Sequence, residues 1–418
     1  MKKKIVPLVL AASLCCGLLS GCQSSQLRSY TKDQENGEST QTAAGAGTKD
    51  YTDCYNYYDA DKVMFTVNGI EVTWGELFYW YVYDVSNIEK YYGDITDWDA
   101  TSAVDKTKTN KQYVMDSALD TIKHYCAVQS KAKEKGVALT DEDKTSLQNT
   151  WTENVKNYGS GDENTFIEYL KKAYLTKEMY DHINEVNLLY NRMLDTMYGA
   201  NGDKLTEEQV LQKAGEMGYV RAKNLLISTN DESGNKLSDE QAAKKKETAE
   251  KLAKELKGIT DKTQLEKRFD ELCAQDGEDT GTQYYPDGYT FIPGKGTMDT
   301  TFEDAVTALG ENQVSDVVET SYGYHIVLRL PLSASAAVEI GSDNSVQKLG
   351  YFVAQNLFNA EAETWANDAK VEYTKTYKKM NLAKVFSKAK AVSTATPSPS
   401  AAASSPAVSA ETSASPAA

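Results

Sequence analysis

Apolar residues along the chain change their spacing several times, and each change marks an element. Val63, Phe65 and Val67 alternate, Asn68-Gly69 supplies a tight turn, and Ile70 and Val72 resume, which predicts a β-hairpin. Thr73-Trp74-Gly75-Glu76 matches a capping box and opens an aromatic-rich helix over Leu77 to Tyr83. From about 111 to 217 the spacing is helical. Met115, Ala118, Leu119, Ile122 and Cys126 form one stripe, and Gly136 stops it. Thr140 to Asp143 starts a helix carrying Leu147, Trp151 and Val155, and Thr206 to Gln209 starts a shorter one.

Near Gly218 the period drops to two. Val220, Ala222, Asn224 and Leu226 alternate with Arg221, Lys223 and Leu225, as in a strand. Ser238 to Gln241 caps a long helix with Ala242, Ala249, Leu252, Ala253 and Leu256 on one side. Leu265, Phe269 and Leu272 lie on a second helix, and Phe302, Ala305, Val306 and Leu309 on a third. Tyr324 to Leu330 is a closing strand. This order predicts a compact α+β domain over 218–332. Beyond Pro331 helical spacing returns, with Val346, Leu349, Val353 and Leu357 on one face and Trp365 further on; Val371 and Tyr373 alternate briefly. The piece 333–390 is too short for its own core. It is therefore expected to pack against 62–217, making the α+β domain an insertion in a helical domain built from both ends of the chain.

Composition narrows the function. Of 418 residues, 45 are Lys or Arg and 61 are Asp or Glu, a net charge of -16. That balance excludes a general affinity for nucleic acid, which needs a basic face. Three histidines, His124, His182 and His325, are too few for a multi-histidine metal site, and the acidic group Asp276, Glu278, Asp279 and Asp287 lacks calcium-loop spacing. No metal or cofactor is expected. Lys2 to Lys4, an apolar run and Leu19-Ser20-Gly21-Cys22 resemble a bacterial lipoprotein signal over residues 1–21, with Cys22 as the lipidated residue. Residues 22–61 are polar and read as a tether. Residues 391–418 are Ser, Ala, Pro and Thr almost throughout, which predicts a disordered tail.

Within the insertion, Gly323-Tyr324-His325-Ile326-Val327, Gly296-Thr297-Met298 followed by Phe302 and Ala305, Val314 to Thr320, and Phe269 to Leu272 followed by Asp279 resemble, in order and spacing, the parvulin (PpiC-type) family of peptidyl-prolyl cis-trans isomerases. With the lipoprotein-like start and helical flanks, the whole chain resembles a PrsA-type foldase lipoprotein, with a SurA/PrsA-like helical chaperone domain around a small antiparallel sheet. The resemblance implies a catalytic group of His325, Asp279 and Asn224. It also implies a substrate site of Met298, Phe302 and Phe291, bordered by Tyr322 and Thr320. It implies partly folded exported proteins as partners, a site at the outer face of the cytoplasmic membrane through lipid on Cys22, and leaves a homodimer open.

Isomerisation breaks no bond, so a dry cradle for the proline ring and polar groups favouring a twisted amide suffice. Two departures from the family pattern set the level of activity as the open quantity. Asn224 stands where the family has a first-strand histidine. Tyr285-Pro286-Asp287-Gly288-Tyr289 replaces a glycine-rich loop and its pocket leucine, leaving Tyr285 and Tyr289 placed to fill the cleft. The alternative is a non-catalytic holdase that uses the parvulin-like domain as a scaffold.

Overall fold

The computed structural model describes residues 49–231, 233–340 and 346–391. The expected signal segment, Cys22 and nearly all of the expected tail lie outside the described residues. Strand β1 (Lys49–Asp50) and helix α1 (Thr52–Tyr55) precede the hairpin β2 (Val63–Val67) and β3 (Ile70–Thr73). Helices α2 (Trp74–Tyr92), α3 (Asn110–Lys135), α4 (Asp141–Tyr158), α5 (Glu163–Lys171), α6 (Lys177–Tyr198) and α7 (Glu207–Met217) follow. The insertion holds β4 (Val220–Ser228), α8 (Asp239–Lys257), α9 (Lys262–Asp276), β5 (Tyr289–Phe291), α10 (Thr300–Ala308), β6 (Val318–Glu319) and β7 (Gly323–Leu330). The chain ends with β8 (Ala337–Ile340), β9 (Val346–Lys348), α11 (Leu349–Asn367), β10 (Val371–Tyr373), α12 (Lys375–Lys379), α13 (Leu382–Phe386) and β11 (Lys390–Ala391).

Helix starts follow local chemistry. Thr140, Thr206 and Ser238 each accept from the backbone N–H three residues on and donate their own backbone N–H to the side chain there, a complete capping box that satisfies two orphan N–H groups. Thr73 makes only half of its expected box, accepting from Glu76 N. The expected helix there is also longer, running on to Tyr92. Asn68 and Gly69 both have positive φ, which the two-residue hairpin turn requires.

Both ends of the chain build the helical domain. Strand β10 pairs antiparallel with β2, from Val371 opposite Val67 to Tyr373 opposite Phe65. Helix α11 buries Ala354 and Phe358 against Ala132, Met193 and Leu194 of α3 and α6. The aromatics Phe78, Tyr79, Trp80, Tyr81 and Tyr83 of α2 are core, none more than 8% exposed.

Two expectations are corrected. Residues 49–61 belong to the fold rather than a tether. Tyr51 and Cys54 are buried in the helical core, and β1 pairs with β11. Their polar neighbours hide two well-spaced buried side chains. Val346 lies in β9 and is exposed, and the helix starts at Leu349; a β8–β9 hairpin too short to show a period precedes it.

The insertion is a four-stranded antiparallel sheet in the order β5-β4-β7-β6. The sequence predicted its two long central strands; the edge strands β5 and β6, of three and two residues, are additions. One face packs Leu225, Ile227, Ile326 and Leu328 against Ala253, Leu256 and Phe269 of α8 and α9. The other packs Val220, Ala222 and Val327 against Phe291 of β5 and Phe302 and Val306 of α10. The strand period of two assigns Asn224 and His325 to this second face.

Candidate active site

Strands β4 and β7 run side by side from Arg221 opposite Leu330 to Ser228 opposite Gly323. Asn224 and His325 therefore sit diagonally across the ladder. Gly323 makes the close start of β7 possible. Its φ is +144°, and a Cβ there would run into the Ile227 carbonyl. The loop after α9 brings Asp279 to the same face, and β6 brings Thr320 beside it.

The polar side chains form one continuous chain. Asn224 Nδ2 donates to Asp279 Oδ2 at 2.7 Å. Asn224 Oδ1 lies 3.0 Å from His325 Nδ1, and His325 Nε2 lies 2.8 Å from Thr320 Oγ1. A carboxylate only accepts, so the amide must turn its N–H₂ to Asp279 and its oxygen to the imidazole. His325 then carries its proton on Nδ1, and the Thr320 hydroxyl donates to Nε2. Thr320 Oγ1 also accepts from Tyr322 N at 3.1 Å. Burial holds the His325 pKa below the ordinary histidine value, against the raising influence of Asp279 and Asp299, so the neutral tautomer is the resting one.

His325 is only 5% exposed and forms a floor. Asp279 and Thr320, half-buried, are the more open ends of the chain. The Phe302 ring stands 5.8 Å from the imidazole, centroid to centroid, and Phe291 lies 6.2 Å behind it, buried. Met298, half-buried, packs on the same cluster. Tyr322 is 58% exposed at the rim. The expected site residues 224, 279, 298, 302, 320, 322 and 325 are thus brought to one face, and Phe291 backs the apolar wall from inside. Sequence reasoning did not place Tyr289 in this polar group; its hydroxyl donates to Asp279 Oδ2 at 2.9 Å.

The arrangement favours torsional over covalent chemistry. Cys273 lies against the Asn224 carbonyl at 3.5 Å, but burial, with the charge of Asp270, pushes its thiol up to about 12, so no thiolate is at hand. Among the described residues no group of three His, Cys, Asp or Glu side chains is placed to hold a metal ion. An apolar wall of Phe302 and Met298 beside a carboxylate and a hydroxyl suits a proline ring and the carbonyl preceding it. Resonance puts the most negative charge on that oxygen in the planar amide, and twisting removes it. A neighbouring carboxylate therefore penalises the planar form more than the twisted one, which lowers the rotation barrier.

A family model for the PPIC-type PPIASE domain matches residues 205–329. The foldase protein PrsA of Staphylococcus aureus (strain bovine RF122 / ET3-1) is 28% identical over 174 residues, 41% of this chain and 48% of that protein. PrsA of S. aureus strain Newman is 27% identical over the same shares. The chain spans about half the length of the curated relatives it matches. Among solved structures, PrsA from Bacillus subtilis aligns over 74% of this chain and 93% of its own at 21% identity, with a TM-score of 0.23. PrsA from Lactococcus lactis aligns over 78% and 98% at 15% identity, with a TM-score of 0.27. Residues 205–329 thus form a PPIC-type, parvulin-like domain, carried by a chain similar to PrsA foldases.

Proposed function

We propose that this chain is an extracytoplasmic foldase that assists exported proteins and accelerates X-Pro isomerisation at the β4–β7 face. The observation that carries the reading is the unbroken hydrogen-bond chain from Asp279 through Asn224 and His325 to Thr320, set beside the apolar wall of Phe302 and Met298. Asn224 supports it, because its amide links imidazole and carboxylate as a second ring would. The lipoprotein-like start, with lipid on Cys22, would hold the protein at the outer membrane face. Labelling with radioactive palmitate that vanishes in Cys22→Ala tests that part.

The isomerase reading is tested with a proline-containing peptide and the full chain. Catalysis above the buffer rate that drops in His325→Ala and Phe302→Ala is expected; a rate equal to buffer from folded protein removes it. The buried imidazole, both nitrogens engaged, favours a second reading, a holdase whose parvulin-like domain is a scaffold. Suppression of client aggregation that survives both substitutions would favour that one.

A further inference from the structure

Tyr289 stands where the parvulin pattern has a glycine, and the structure gives it a specific partner. Its hydroxyl donates to Asp279 Oδ2, the oxygen that also takes the Asn224 amide, while Gly281 N donates to Oδ1 at 2.8 Å. Three donors therefore hold one carboxylate. The tyrosine is itself held. Its register on β5 sets it opposite Ala222, two residues from Asn224 on β4, and the Tyr285 ring lies against it at 5.1 Å. Burial, with the neighbouring Asp279 charge, keeps its hydroxyl protonated and therefore a donor. Gly281 is part of the same device, because a Cβ there would fall inside the van der Waals shell of the Tyr289 oxygen.

We propose that Tyr289 is a positioning residue. It fixes the Asp279 carboxylate, Asp279 fixes which way the Asn224 amide points, and the amide fixes the tautomer of His325. The reason is electrostatic. With Oδ2 pinned, flipping the amide would set oxygen against oxygen at one end and N–H against N–H at the other. Without the hydroxyl only Asn224 Nδ2 and Gly281 N hold the carboxylate, one donor on each oxygen, so the group can swing away from the amide, and only with the carboxylate away do both amide orientations become accessible. The kinetic consequence rests on the isomerase reading; the tautomeric consequence does not.

The test uses the full chain with ¹⁵N-labelled histidine, the His325 signals being identified by their loss in His325→Gln. In the parent protein one ring nitrogen is expected bare and one protonated. In Tyr289→Phe both should move toward averaged shifts, and kcat should fall about tenfold with KM changed less than about twofold. Gly281→Ala, which keeps the tyrosine but displaces its hydroxyl, should give the same averaging. Unchanged histidine signals in both variants overturn the proposal, whatever the rates. If the parent protein is inactive, the isomerase reading fails, and the nitrogen shifts alone decide this one.

Discussion

The site face of the inserted domain and the α2 region of the helical domain bury polar groups differently. In the insertion, Asn224, His325, Asp279 and Thr320 satisfy one another in series, and Lys223 on the opposite sheet face lies between Glu266 at 2.9 Å and Asp270 at 2.7 Å. Burial works against the lysine's charge, and the two carboxylates outweigh it. In the helical domain, around α2, the core is aromatic. Trp74 packs against Tyr58, Phe78 and Tyr81, and its Nε1 donates to the Tyr55 carbonyl at 2.6 Å. The acids enclosed there have weaker support. Burial pushes the Glu76 carboxyl up to about 7, and the same burial takes Asp84 to about 7 despite the Ser117 hydroxyl at 3.1 Å. A buried network can hold a site in one protonation pattern, whereas lightly supported buried acids leave stability dependent on pH.

The sharpest way to break the contrast is Trp74→Ala. Emptying a fully buried aromatic site should cost about 3–5 kcal/mol, read by urea denaturation. If the two regions fold as separate units, peptide isomerisation by the insertion should survive under conditions where the helical domain has melted. Next comes Asn224→Leu, which leaves the His325 N–H and Asp279 without their link. It should cost about 1–3 kcal/mol of stability and at least about tenfold in kcat/KM. Asn224→His, which restores a ring, should keep more activity than Asn224→Leu.

Glu76→Gln and Asp84→Asn test the other region. Their folded pKa values are raised, so the stability they confer is full below about pH 4 and is lost as pH rises through about 7. Each variant should match the parent near pH 4 and be more stable than it at pH 8, seen as a higher Tm. The smallest effect is at Asp143, which completes the Thr140 capping box of α4 and accepts from Arg192 Nε and Nη2, each at 2.8 Å. The guanidinium, aided by Thr140, draws its carboxyl down to about 2. Its contribution is present above about pH 4 and lost as pH falls through 2. Arg192→Met should cost about 1 kcal/mol at pH 7, because the arginine is partly exposed, and the difference should vanish near pH 2.

Some of this was legible because it is local. Capping boxes at Thr140, Thr206 and Ser238 depend on residues three apart, and the long strands β4 and β7 span enough residues to show their period. The strands β5 and β6 are too short for any period, and they exist because β4 and β7 offer open edges. Residues 49–61 look like linker because Tyr51 and Cys54 are buried by partners far along the chain, such as Phe386 and Tyr174. Tyr289 reads as a pocket filler beside Tyr285. Only the loop that returns Asp279 to β5 turns it into a hydrogen-bond donor, and the one sequence signal is Gly281 eight residues earlier, where any Cβ would meet the tyrosine oxygen.

The amino-acid order by itself determined where helices begin, which faces are apolar, and which residue types gather near the last strand of the insertion, since all three follow from spacing along one segment. The tertiary structure alone decided which of those residues meet. Asn224 and His325 lie 101 positions apart, and Asn224 and Asp279 lie 55 apart. Pairing of β4 with β7 and return of the α9 loop, rather than any local preference, set those distances, because a hydrogen bond acts within about 3 Å whatever the separation in sequence.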